Sequence, residues 1–148
     1  MIQRKQSLLL LSIALFSSLL LFLPYAEITL IDKKFELALI PTGTIQTNSA
    51  FSIAIALNFL ILSLSFATIF LYKKRELQLK LCYTICVTGL VLLGLIIFTP
   101  FFELKEGMQV TKGFITPIFV AVMIVDSFVA SLFIKKDIEL LKSADRIR

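Results

Sequence analysis

Asp126 is the residue in this chain that packing alone explains least well. It interrupts an otherwise apolar stretch, Val122-Met123-Ile124-Val125-Asp126-Ser127-Phe128-Val129. A charge at the centre of a bilayer costs about 3 kcal/mol or more, so a residue of this kind is a functional candidate by default. Ser12, Ser63 and Thr88 are expected at similar depth and could offer it hydrogen bonds across helix interfaces. Three roles are open to it. It could be a neutral structural group tied to Ser and Thr, a contact for a basic or polar group on a partner subunit, or a proton or cation site. No Lys, Arg, His or second carboxylate accompanies it deep within the apolar runs, Lys80 lying only at the edge of the third, and a proton path ordinarily needs more than one station. Asn58 is the other strongly polar residue inside an apolar run. Its expected role is a hydrogen bond between helices.

Other chemistry is sparse. The chain has no His, which removes the commonest metal ligand and the commonest general base. Cys82 and Cys86 are the only cysteines. Their i, i+4 spacing places them on one helical face, where two small apolar residues in packing are the expectation. No phosphate loop, zinc spacing or nucleophile–base pair is present. No catalytic residue, metal site or cofactor is therefore expected, and an enzyme is not.

These polar residues sit in four long apolar runs, residues 7–26, 50–72, 79–102 and 113–134, each closed by charge. A helix needs about 20 apolar residues to cross the hydrocarbon core. The 148-residue chain is 58% hydrophobic with mean hydropathy +0.95, more apolar than a water-soluble domain tolerates. The expected fold is an all-α membrane protein, a bundle of four transmembrane helices in one integral membrane domain covering residues 1–148. Small-xxx-small pairs, Ala14 and Ser18, Ala50 and Ala54, Ser63 and Ala67, Ser127 and Ser131, suit close helix packing in lipid.

Orientation is set by Lys and Arg. Eleven of the fifteen lie at the N-terminus (Arg4, Lys5), in the link between runs two and three (Lys73, Lys74, Arg75, Lys80) and in the tail, residues 135–148. Four, Lys33, Lys34, Lys105 and Lys112, lie in the two loops on the other side. Both termini are expected in the cytoplasm. The net charge of +5 does not point to nucleic acid, because the charges close apolar runs rather than share one face. Run one resembles a signal peptide in its basic start, but a cut after Ala26 would put Pro24 at the −3 position, where a small residue is wanted. A retained first helix is expected.

The outer loops, residues 27–49 and 103–112, carry strand signals. Ile28-Thr29-Leu30-Ile31 and Phe35-Glu36-Leu37-Ala38-Leu39-Ile40 flank the charged turn Asp32-Lys33-Lys34, which reads as an extracytoplasmic β-hairpin. The second loop has a shorter signal around Glu106-Gly107. The runs also echo one another. Phe22-Leu23-Pro24-Tyr25-Ala26-Glu27 and Phe98-Thr99-Pro100-Phe101-Phe102-Glu103 both read Phe-x-Pro-aromatic-x-Glu. Either a duplicated two-helix hairpin or shared physical needs would explain the echo. Proline should end or bend each helix at the outer boundary. In the tail, Ile138, Leu141, Ala144 and Ile147 recur at near-helical spacing among basic residues. The tail could extend helix four along the inner headgroups or fray.

The opening Met1-Ile2-Gln3-Arg4-Lys5-Gln6-Ser7, the link Arg75-Glu76-Leu77-Gln78-Leu79-Lys80-Leu81-Cys82 and the close Lys136-Asp137-Ile138-Glu139-Leu140-Leu141-Lys142-Ser143-Ala144-Asp145-Arg146-Ile147-Arg148 carry a resemblance. Together they resemble the bacterial family catalogued as domain of unknown function 4293, across the whole chain. The resemblance implies a four-helix integral membrane protein with no established activity and no site residues to transfer. Its recognisable motifs lie on the cytoplasmic side. Folding alone hardly demands them, so Gln3, Arg4, Gln6, Ser143, Asp145, Arg146 and Arg148 form a candidate contact face for a membrane or cytoplasmic protein partner or for lipid headgroups. The expected function is a non-enzymatic scaffold or accessory subunit. The alternative is a small proton- or cation-coupled transporter using Asp126. Neither a substrate nor an oligomeric state is written in the sequence.

Overall fold

A computed structural model of the chain describes residues 3–30, 33–38, 49–72, 74–102, 109–112 and 115–146. Four helices dominate it: α1 (Gln3–Leu20), α2 (Ser49–Phe70), α3 (Arg75–Phe102) and α4 (Ile115–Arg146). They form a closed ring in which α1 packs on α2, α2 on α3, α3 on α4, and α4 back on α1. Three short strands, β1 (Pro24–Leu30), β2 (Lys33–Ala38) and β3 (Gln109–Lys112), join in one sheet of order β2-β1-β3. Both pairings are antiparallel, with Leu30 opposite Lys33 and Ala26 opposite Lys112. The sheet touches the bundle through β1 and α4.

Three spans, Ser52–Phe70, Arg75–Phe98 and Ile115–Ser143, are long and apolar enough to cross a membrane. The first helix departs from expectation. Its apolar run covers residues 7–26, but the helix stops at Leu20, and its apolar part, Gln6–Leu20, is shorter than the other three. At 1.5 Å per residue that part covers roughly 22 Å, less than the hydrocarbon core of about 30 Å. The cause is Pro24. Proline biases the residue before it toward extended backbone and offers no amide to a helix. The chain accordingly turns at residues 21–23, and Phe22 and Leu23 both donate to the Leu19 carbonyl (3.0 and 3.2 Å). Strand β1 then starts at Pro24 itself.

The matching proline in the second half behaves differently. Helix α3 continues through Pro100 to Phe102. The Phe-x-Pro-aromatic-x-Glu echo therefore marks a strand start in one half and the last helical turn in the other. Pro117 lies in the first turn of α4, where an amide has no intrahelical acceptor to lose.

At the basic end the boundaries lie further out than the apolar runs suggest. Helix α3 starts at Arg75, four residues before the expected 79, with Glu76 in its first turn where a negative charge suits the helix dipole. The Lys74 amide donates to the Leu71 carbonyl (2.9 Å) and the Gln78 amide to the Lys74 carbonyl (3.0 Å), so a tight turn joins α2 to α3. Helix α4 runs past 134 to Arg146, which makes the tail a helical extension. Residues 147 and 148 lie outside the described residues.

The core holds Leu10, Ile13 and Leu20 of α1, Ile61 of α2, Ile85 and Leu92 of α3, and Val120, Met123 and Ile134 of α4. Phe16 stacks at a tilt on Phe119 across α1 and α4, with ring centroids 5.2 Å apart. The outside is as apolar as the inside: Leu8, Leu11, Leu15, Ile53, Phe66, Val87, Leu90, Val125 and Phe128 are all exposed. Of the small pairs, Ser127 and Ser131 are buried, whereas Ser63 and Ala67 face outward.

One close approach of α3 to α4 involves a residue outside those pairs. A β-carbon on Gly89 of α3 would stand 2.9 Å from Ile124 Cγ1 of α4, whereas one on Gly94 would meet nothing within 4 Å. Gly89→Ala should therefore cost about 1–3 kcal/mol by forcing α3 and α4 apart. Gly94→Ala should leave stability unchanged or slightly raised. Thermal unfolding of the two variants in the same detergent checks the pair.

Candidate functional site

Asp126 lies eleven residues after Ile115, the start of α4, and eleven before Asp137. It is thus about 16 Å along the helix from either position. Its carboxylate meets α1 rather than the centre of the ring. Asp126 Oδ2 stands 2.5 Å from Ser12 Oγ. The same hydroxyl stands 2.7 Å from the Leu9 carbonyl of its own helix. A serine hydroxyl has one proton, so Ser12 cannot donate fully to both oxygens. Asp126 is partly buried and lines an open groove of about 490 Å³ between α1 and α4 with Leu8, Leu9, Ser12, Val129 and Phe133. Among the described residues no ion pair reaches it.

Ser63 and Thr88, expected beside Asp126, lie elsewhere. Ser63 Oγ is exposed and donates to the Phe59 carbonyl one turn back (2.8 Å). Thr88 Oγ1 donates within α3, to Thr84 (2.8 Å) or Ile85 (3.0 Å). Both side chains direct their hydrogen bonds to their own helix, as Ser and Thr commonly do in apolar surroundings. Equal depth did not bring them together because depth says nothing about which way a side chain faces.

Asn58 is fully buried and pairs with Ser17 of α1. Asn58 Nδ2 donates to the Ser17 carbonyl (3.0 Å), and Ser17 Oγ donates to Asn58 Oδ1 (2.8 Å). This reciprocal pair joins the two side chains inside the α1–α2 interface. Equivalent contacts close the other interfaces. Ser127 Oγ donates to the Cys82 carbonyl (2.7 Å) from α4 to α3, and Gln78 Nε2 donates to the Thr68 carbonyl (3.3 Å) from α3 to α2. Cys82 itself is buried and Cys86 partly so, both as free thiols.

The second polar centre is Asp137. Its Oδ2 accepts from Gln6 Nε2 of α1 (2.8 Å) and stands 3.8 Å from a guanidinium nitrogen of Arg75 on α3. One buried carboxylate thus ties α1, α3 and α4 at the basic end of the bundle. Sequence reasoning missed it. The available signal was spacing: Asp126 and Asp137 are eleven residues apart, which returns a helix to nearly the same face after three turns. Both acids meet α1, at Ser12 and Gln6.

The proposed contact face divides accordingly. Gln6 is buried and commits its amide to Asp137, so it does not present to the surface. Ser143 is exposed and bonds the Leu140 carbonyl (2.8 Å). Gln3 and Arg4 lie in the first turn of α1, and Asp145 and Arg146 in the last turn of α4. Arg148 lies outside the described residues. Lys74, Lys80, Lys135, Lys136 and Lys142 are exposed at this same end.

Residues 2–147 match the model of one protein family, described as "Domain of unknown function (DUF4293)". No curated protein and no solved structure matches the chain.

Two variants test the polar contacts. Asn58→Leu should cost about 1–2 kcal/mol, the range of a strong interhelical hydrogen bond in lipid. Asp137→Ala should cost about 2 kcal/mol or more, because it strands Gln6 and Arg75 together. A double-mutant cycle of Gln6→Ala with Asp137→Ala, read by detergent unfolding, should be clearly non-additive.

Proposed function

Because the chain belongs to the family described as "Domain of unknown function (DUF4293)", a description that assigns no activity, we propose its role from geometry: a non-enzymatic scaffold or accessory subunit of the bacterial inner membrane. The observation that carries this is the use made of the buried polar groups. Asn58 with Ser17, Ser127 with Cys82, Gln78 with Thr68 and Asp137 with Gln6 all join one helix to the next. They build a rigid bundle rather than converge on a reaction centre. The apolar exterior supports immersion in lipid, since only 28–33% of the residues in the three long spans are buried within the bundle.

In the membrane the basic end faces the cytoplasm, by the excess of Lys and Arg there. Both termini are on that side, and the three-stranded sheet is extracytoplasmic. The length of α4 supports this depth. From Ile115 to Asp137 it covers about 33 Å, close to one hydrocarbon thickness. The exposed Lys74, Lys80, Lys135, Lys136 and Lys142 then lie at the inner headgroups, each gaining about 1 kcal/mol from anionic lipid. The first and last helical turns form the contact face, with Gln3, Arg4, Ser143, Asp145 and Arg146. Gln6 belongs to the bundle interior.

A small proton- or cation-coupled transporter is the second reading. The partly exposed Asp126 carboxylate beside Ser12 is the observation that favours it. Flux in proteoliposomes separates the two: transport abolished by Asp126→Asn, with folding intact, would install the second reading and remove the first.

Two outcomes are expected of the scaffold. A reporter fused after Arg148 should be active in the cytoplasm, and the protein should leave the membrane fraction only with detergent. Deleting residues 143–148 together with Gln3→Ala and Arg4→Ala should leave insertion intact while the co-purifying proteins are lost. Retention of the same proteins by the altered chain counts against the contact face.

A further inference from the structure

Ionisable residues within membrane spans almost always face the interior of a bundle, a water-filled cavity or one another. Among the described residues Asp126 meets no charged partner, and its side chain is not sealed in the interior. It lies on an outward groove, with apolar ridges on both sides. Leu8, Leu11 and Leu15 of α1 and Val125, Phe128 and Leu132 of α4 are exposed. Its hydrogen-bonding neighbour among the described residues, Ser12, divides a single proton between Asp126 and the Leu9 carbonyl. Lipid tails carry no donor that could complete the set. At about 16 Å along α4 from both Ile115 and Asp137, the carboxylate is also too deep for headgroups to reach.

We propose that the α1–α4 groove is the seat of a transmembrane helix from a different protein that carries a Lys or Arg at mid-depth. This rests on the membrane-embedded scaffold proposed above and names the partner of its intramembrane face. Charge complementarity selects the occupant. A helix from a second copy of this chain cannot supply the cation, because the described spans carry their basic residues only at the cytoplasmic end, at Arg75, Lys80, Lys135, Lys136 and Lys142. An ammonium or guanidinium lowered into the groove meets Asp126 and releases Ser12 to the Leu9 carbonyl. The apolar stem of the same side chain lies against Leu8, Val129 and Phe133. Ser12 is then a positioning residue, holding the carboxylate toward the groove from the α1 side.

The test uses the full chain in phosphatidylcholine vesicles and two synthetic Leu-rich transmembrane peptides of about 21 residues, one with Lys at its centre and one with Leu. Energy transfer between labelled protein and peptide reads association. The Lys-centred peptide should bind about tenfold more tightly than the Leu-centred one. Asp126→Asn should abolish that preference. Leu8→Trp, which keeps the carboxylate but fills the mouth of the groove at an exposed position, should weaken binding of the Lys-centred peptide. Equal binding of both peptides, a preference that survives Asp126→Asn, or homodimers cross-linked through Val129→Cys with no peptide present would each overturn the assignment. Failure here with cytoplasmic co-purification intact removes the groove partner alone. Recovery of the protein in water without detergent removes the membrane scaffold as well.

Discussion

Every neighbouring pair of helices in this bundle is held by at least one hydrogen bond that a side chain makes across the interface, and the rest of the architecture leans on that fact. When the outer faces of helices are as apolar as the inner ones, burying Leu against Leu does little to tell inside from outside. Direction must come from groups that lose something when they face the wrong way. Ser17 with Asn58, Gln78 with Thr68, Ser127 with Cys82, Ser12 with Asp126 and Gln6 with Asp137 supply it. They also set register. Along α1 and α4 the pairs run Gln6–Asp137 and Ser12–Asp126, rising on one helix as they fall on the other, so the two are antiparallel with little room to slide.

The two acids of α4 share this geometry yet differ in how fully they are satisfied. Asp137 sits where three helices converge. It accepts from an amide and has a guanidinium nearby, and its side chain is 6% exposed. The desolvation of such a buried group offsets much of what its contacts gain. Asp126 has, among the described residues, one shared hydroxyl and an open groove. The difference comes from the helix pair behind each residue. At the level of Asp137, Arg75 of α3 reaches across. At the level of Asp126, α3 presents Cys82 and Gly89 to α4, through Ser127 and Ile124, and neither can offer a donor side chain of any strength.

Much of the fold was legible because hydropathy is a one-dimensional signal. The apolar runs and the four helices coincide over most of their length, and Arg75, Lys80, Lys135, Lys136 and Lys142 share one end of the bundle while Lys33, Lys34 and Lys112 lie in the sheet. Boundaries were less legible. Helix α1 ends at Leu20 while α3 continues through Pro100, although both carry the same motif. The chain beyond the first proline makes the difference. Pro24 opens a strand that pairs with β2 and β3, an alternative set of hydrogen bonds for the backbone that proline frees. The motif alone carries no trace of that competition. The candidate site divides in the same way. Asp126 and Ser12 were visible as polar interruptions of apolar runs and do meet. Ser63 and Thr88 were equally visible and do not, since a hydroxyl in an apolar helix can bond its own previous turn at no cost in chain entropy.

From the sequence alone came four apolar helical stretches, a basic end, membership of a family spanning nearly the whole chain, and Asp126 as the residue out of place. These are properties of composition and order along a line. The tertiary structure decided what faces what. It turned Gln6 inward to Asp137, gave Asn58 its partner in Ser17, set Gly89 of α3 close against Ile124 of α4, and left Asp126 on an outward groove instead of a sealed interior. The reason is rotational. A helix that is apolar all round has almost no amphipathic signal to announce its buried face, so only packing against its neighbours selects one.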